Sequence, residues 1–218
     1  MAKLAGKAVA EFSGTALLVT VVVGSGIMGT NLSQDSGVAL LINAFSTIFA
    51  LALLIFVLGP ISGAHLNPAV SLVQLVTRQQ PIRETLAYIP AQIAGAISGA
   101  ILANVMFDLP TIQTSVNERA SAGTFVGEVI ATAGLVALIG VLSNRDQGKY
   151  IPVAVAAWIG SACFFTSSTS FANPAVTIGR LFTDTFAGIA PASVLPYILA
   201  QLVGAAIGMA ISKGVARA

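Results

Sequence analysis

The chain has 218 residues, of which 56% are hydrophobic and only 8% charged, with a formal net charge of +2 and a mean hydropathy of +0.91. Soluble domains carry about 25% charged residues, and no single core in a chain this short would hide so much apolar surface from water. This excludes a soluble globular domain, gives no support to nucleic-acid binding, and marks an integral membrane protein whose surroundings are the lipid bilayer.

The first segment, MAKLAGKAVAEF, sets two lysines ahead of an apolar run, as a signal peptide does. The run is span-length, carries Glu11 and lacks a cleavage site, so it is read as the first span. At about 20 apolar residues per crossing, six spans follow in order, at roughly 8–28, 38–58, 84–107, 123–143, 150–168 and 193–213. Polar or turn-forming stretches separate them, among them TNLSQDSG, TRQQPIRE, DLPTIQTSVNERASAG and SNRDQGK. None is long enough to divide domains, so residues 1–218 are expected to form one unit. An even number of spans puts both termini on one side. That side holds Lys3, Lys7, Arg78, Arg83, Arg145, Lys149, Lys213 and Arg217, with only Arg119 and Arg180 opposite, which predicts cytoplasmic termini. The single cysteine, Cys163, and single histidine, His65, supply neither an internal disulfide nor a zinc ligand set, and no cofactor is expected.

The chain repeats itself. AEFSGTALLV at 10–19 answers GEVIATAGLV at 127–136, pairing Glu11 with Glu128. NPAVS at 67–71 answers NPAVT at 173–177, and AQIAGAISG at 91–99 answers AQLVGAAIG at 200–208. Three matches in the same order indicate a duplication, with repeats over 8–107 and 123–213. Each contains three spans, so the second is inverted relative to the first. Such repeats place a functional site near the midplane on broken helices.

The two NPAV segments are those breaks. Asparagine is a favoured N-cap and proline suits the first helical turn, so Asn67 and Asn173 are read as caps and Pro68–Ala69 and Pro174–Ala175 as helix starts. The apolar runs over 67–77 and 173–183 are about 16 Å long at 1.5 Å per residue, half of a bilayer core. Entering from opposite faces, two half-helices meet N-terminus to N-terminus. The capping asparagines would offer NH₂ donors to a passing solute. The helix ends, each about +0.5 charge, would repel cations and relayed protons.

At SGAHLNPAV, the second NPA box and the paired glutamates, the sequence resembles the aquaporin and aquaglyceroporin family, also called major intrinsic proteins. The resemblance covers about residues 8–213. It implies an all-α membrane fold of six transmembrane helices and two re-entrant half-helices, one pore per subunit, a homotetramer in the inner (plasma) membrane, and small neutral solutes as cargo. It also implies that Glu11 and Glu128 accept hydrogen bonds from the re-entrant loops; the alternative is a proton relay. His65 has two open readings, an edge of the cytoplasmic half-pore or a brace for its loop. Cys163 is read as packing.

Typical members carry arginine directly after the second NPA, and here that residue is Val176. Counting from the NPA boxes puts the other filter positions at Thr47, Ser161 and Ser170. All four are small and uncharged, which predicts a wide constriction. Arg180, four residues beyond Val176, is read either as a relocated guard at the pore mouth or as an arginine snorkelling to the membrane surface. The Val-for-Arg change within NPAVTIGRLFTDTF resembles a bacterial branch associated with arsenic resistance, which implies arsenite, methylated arsenicals and glycerol, with water, as solutes. A water-selective aquaporin and an ion-coupled transporter are the competing readings. No phosphate-binding loop, metal cluster or nucleophile–base pair is legible, so no enzyme is expected.

Overall fold

A computed structural model describes residues 3–215, all helix and loop. The helices are α1 (Leu4–Leu32), α2 (Ser36–Ser62), α3 (Pro68–Val76), α4 (Ile82–Met106), α5 (Ala122–Asn144), α6 (Ile151–Phe165), α7 (Pro174–Gly179) and α8 (Pro191–Val215). Six are long and apolar enough to cross a bilayer, α6 counting with the 3-10 turn Gly148–Tyr150 before it. They match the six expected spans, with ends shifted by a few residues. Arg217, used above for orientation, lies outside the described residues.

The ends follow local chemistry. Asp35 caps α2 by accepting from the N–H of Gly37 at 2.7 Å and of Val38 at 3.1 Å, and Ser121 with Thr124 forms a reciprocal box at the start of α5. Helix α2 stops at Gly63, whose φ of 90° closes the turn as a side-chain-bearing residue would resist.

Packing repeats with the sequence. Helix α4 lies on α1 and α8 on α5, and glycines set both contacts. A Cβ at Gly95 or Gly99 would stand 2.3 or 2.2 Å from the carbonyl oxygens of Phe12 and Ala16. The equivalent clash at Gly204 and Gly208 is 2.5 and 2.3 Å, from Val129 and Ala133. Only glycine lets these backbones approach so closely. Outward faces carry exposed Leu, Phe, Val and Ile along α2, α4, α6 and α8, as lipid contact requires.

The half-helices differ from expectation in length. Helix α3 covers most of 67–77, but the one expected over 173–183 is α-helical only to Gly179 and tightens into a 3-10 turn at Arg180–Phe182. Gly179 is pressed against α4, where a Cβ would meet the Ala96 carbonyl at 2.6 Å, and the chain then turns away.

Candidate functional site

Each re-entrant loop is suspended from a buried carboxylate. Glu11 and Glu128 are both fully buried. Glu11 accepts from the backbone N–H of His65 at 3.0 Å and Leu66 at 2.6 Å, from the Ser62 hydroxyl at 2.6 Å, and from Gln92 Nε2 at 2.8 Å. Glu128 accepts from the N–H of Phe171 and Ala172, both at 2.8 Å, and from Gln201 Nε2 at 2.6 Å. Gln92 and Gln201 go on to donate to Ser71 and Thr177 on the half-helices, at 3.0 and 2.9 Å. These contacts occupy the oxygens of both carboxylates with donors from the loops and from the neighbouring glutamines. The carboxylates also hold strained backbone. Ala64, Leu66, Ser170 and Ala172 all have left-handed φ, between 47° and 52°, in matching places.

The asparagines act as the caps their sequence predicts, and they do one thing more. Asn67 Oδ1 accepts from the Ala69 N–H at 2.9 Å, and Asn173 Oδ1 from Ala175 at 3.0 Å and Val176 at 3.3 Å. Their NH₂ groups, expected to face a solute alone, cross to the opposite loop. Asn67 Nδ2 donates to the Ala172 carbonyl at 2.8 Å and Asn173 Nδ2 to that of Leu66 at 2.7 Å. Each amide has two N–H donors, so one ties the half-helices together and one remains for the pore.

Both asparagines line a cavity of about 90 Å³ between the repeats. Its wall is mostly aliphatic, with Leu18, Val22, Leu51, Ile55, Leu135 and Val155 among its residues. Polar groups come mainly from the loops: His65, Asn67, Ser170 and Asn173, joined by Thr47 and Arg180. Such a wall, apolar with a few directed donors, suits small polar molecules without net charge.

The filter positions separate. Thr47, Ser170 and Val176 line the cavity and are nearly buried. Ser161 does not line it: it faces outward and is exposed. Helix α6 presents Val155, Ile159 and Cys163 to the cavity at four-residue spacing, and Ser161 lies about 200° around the helix from its neighbours on that face. Counting back from Asn173 gives a position along α6 but not the direction in which its side chain points. Cys163, read as packing, is a wall residue, as are Ile159 and Phe171, which the sequence reading passed over.

Arg180 does not snorkel. It is 6% exposed, lines the cavity, donates through Nε to the Ala187 carbonyl, and lies 3.4 Å over the Phe171 ring. Of its two readings, the surface arginine is excluded. His65 Nδ1 stands 3.0 Å from Ser71 Oγ, and the residue lines the cavity, so the structure sets aside neither of its readings. Among the described residues no cluster of His, Cys, Asp or Glu is arranged to hold a metal. Gln92 and Gln201 were missed as site supports, although a glutamine at the same place in both repeats of an apolar span was the available signal.

The profile described as Major intrinsic protein matches residues 1–168. The chain belongs to the major intrinsic protein family. Members of this family are channels, not enzymes. The chain is 44% identical over 207 residues to "Aquaglyceroporin AqpS" of Rhizobium meliloti (strain 1021), covering 95% of this chain and 88% of that one. It is 30% identical over 223 residues to "Aquaporin Z" of Brucella melitensis biotype 1, covering 94% and 95%. The solved aquaglyceroporin of Plasmodium falciparum superposes with a TM-score of 0.74 over 98% of this chain and 97% of that one; at 24% identity the likeness bears on the fold alone.

Proposed function

We propose that this family member is a passive channel for small uncharged solutes whose outer constriction is wide because no arginine follows the second NPA box. The observation that carries the reading is that Val176, Thr47 and Ser170, small side chains, line the cavity at filter positions; the Arg180 guanidinium and the Phe171 ring, which also line it, stand at other positions in the chain. Such an opening suits arsenite and other metalloid hydroxides, methylated arsenicals in neutral form, glycerol and water. The relative named an aquaglyceroporin, at 44% identity, supports the choice of polyol-sized cargo over water alone. Val176, Thr47 and Ser170 set the aperture. Asn67 and Asn173 orient the solute, with their helix ends excluding cations and protons, and Glu11 and Glu128 keep the loops in place. Assembly as a homotetramer in the plasma membrane, with both termini cytoplasmic, belongs to the same reading. The basic residues gathered on one side support that orientation.

A water-selective pore has one observation in its favour, the buried Arg180 on the wall. Uptake into proteoliposomes separates the readings. The channel proposed here gives arsenite and glycerol uptake that rises linearly with concentration and is independent of ions. Water flux without either solute supports the selective pore. Saturable, ion-dependent flux with counterflow would indicate a transporter.

A further inference from the structure

Two arginines flank the Phe171 ring, and they are employed differently. Arg119 lies 5.4 Å from the ring centroid and spends Nε on the Gly188 carbonyl at 2.6 Å and Nη2 on that of Phe186 at 2.7 Å. It clamps the 186–188 segment and does not line the cavity. Arg180 stacks closer, at 3.4 Å, but its only side-chain hydrogen bond within the described residues is from Nε to Ala187. A guanidinium has five N–H donors, so both of its Nη groups are left over on a residue that lines the cavity. No carboxylate neutralises it: Glu128 is committed to Phe171, Ala172 and Gln201, and the only ion pair among the described residues is Lys7–Glu84. Taking a cation out of bulk water without a counter-charge is costly. A second, independent vacancy lies on the same wall. Ser170 is 5% exposed, lines the cavity, and its hydroxyl has no hydrogen-bond partner within the protein.

We propose that Arg180 and Ser170 form a subsite in the outer cavity for a small monoanion of carboxylate type, which occupies the pore and slows neutral flux. The planar guanidinium, held by Phe171 on its face and Ala187 at Nε, presents its Nη donors to a pair of oxygens, the geometry in which arginine binds carboxylates best. The Ser170 hydroxyl supplies a further donor. Apart from His65 and the amides of Asn43, Asn67 and Asn173, the rest of the wall is mostly aliphatic and carries no second lysine or arginine, so the anion binds without crossing. The proposal rests on the channel reading above. It adds a regulatory ligand to the same pore and makes Arg180 a specificity residue.

The test uses the full chain in proteoliposomes, with water and glycerol flux followed by stopped-flow while sodium formate or its neutral isostere formamide is equal on both sides. In wild type, formate slows flux in a dose-dependent way and formamide does not. In Arg180→Leu the half-inhibiting formate concentration rises about tenfold or more, as loss of a charge-assisted hydrogen bond implies. Arg180→Lys keeps the charge and retains most of the inhibition, and Ser170→Ala weakens it less than Arg180→Leu does. Wild-type flux that is the same in formate and formamide overturns the subsite and leaves the channel standing, as does an Arg180→Leu protein as sensitive as wild type. If Arg180→Leu does not insert, Ser170→Ala decides: unchanged formate sensitivity counts against the subsite. Absence of any water or glycerol flux in untreated wild type overturns the channel reading itself, and the subsite with it.

Discussion

In matching places of the two repeats stand His65 and Phe171, each edge-on to a tyrosine, with ring centroids 5.4 Å from Tyr88 and 5.0 Å from Tyr197. The backbone N–H of each of these residues, two before the asparagine, donates to its own repeat's glutamate, and each asparagine reaches across to the other loop. Toward the pore the halves diverge. The first repeat's loop shows a histidine hydrogen-bonded to Ser71, and the second repeat's loop a phenylalanine between two arginines. Half-helix α3 ends as an ordinary helix, while α7 is cut to six residues and turns Arg180 back over the ring. The lesson is a division of labour. Buried acceptors, capping asparagines and glycines that fix the loops are duplicated, while the rest of the cavity wall differs between the halves.

The largest effects should come from the duplicated part. Glu11→Gln and Glu128→Gln each put an NH₂ donor among partners that, apart from the Ser62 hydroxyl beside Glu11, only donate, which should cost about 3 kcal/mol or more. Thermal unfolding in detergent should fall by several degrees for both; a drop in one half alone would break the equivalence of the repeats. Gly99→Ala and Gly208→Ala push a Cβ to 2.2 and 2.3 Å from a carbonyl oxygen, and overpacking of this kind should cost about 1–3 kcal/mol. The same melting assay checks it, and unchanged stability in either would contradict the close helix contact.

Smaller effects should come from the pore wall. Asn173→Ala removes a cap worth about 1 kcal/mol together with the bond to Leu66, and should disturb conduction through the outer half more than folding. The smallest separates two residues on α6. Cys163→Trp should obstruct the cavity, whereas Ser161→Trp, on the exposed face, should change stability by no more than about 0.5 kcal/mol and leave flux near wild type. Equal obstruction by both would restore Ser161 to the filter.

Much of this was legible in the sequence. While the acceptor role of the paired glutamates came from the family resemblance, span-length apolar runs and N-capping Asn-Pro pairs follow from local rules, so the helices and the half-helix starts could be read residue by residue. Three features could not. Ser161 was misplaced because counting residues does not fix facing: it stands two residues from both Ile159 and Cys163, about 200° around the helix from the lining face. The second half-helix was overrun because the stop at Gly179 comes from the approach of α4, a tertiary contact. Arg180 has a sequence neighbourhood that suits either solvent or pore, and only the position of Phe171 and the Ala187 carbonyl decides between them.

The central claim is that the absence of a guanidinium directly after the second NPA sets the width of the outer constriction. The most direct test is stopped-flow uptake of water, glycerol and arsenite by wild type and Val176→Arg in proteoliposomes. The account predicts fast glycerol and arsenite uptake in wild type, and in the variant a loss of both, about tenfold for a barrier increase near 1.4 kcal/mol, with water reduced far less. Equal loss of all three fluxes, or no change in any, would contradict it.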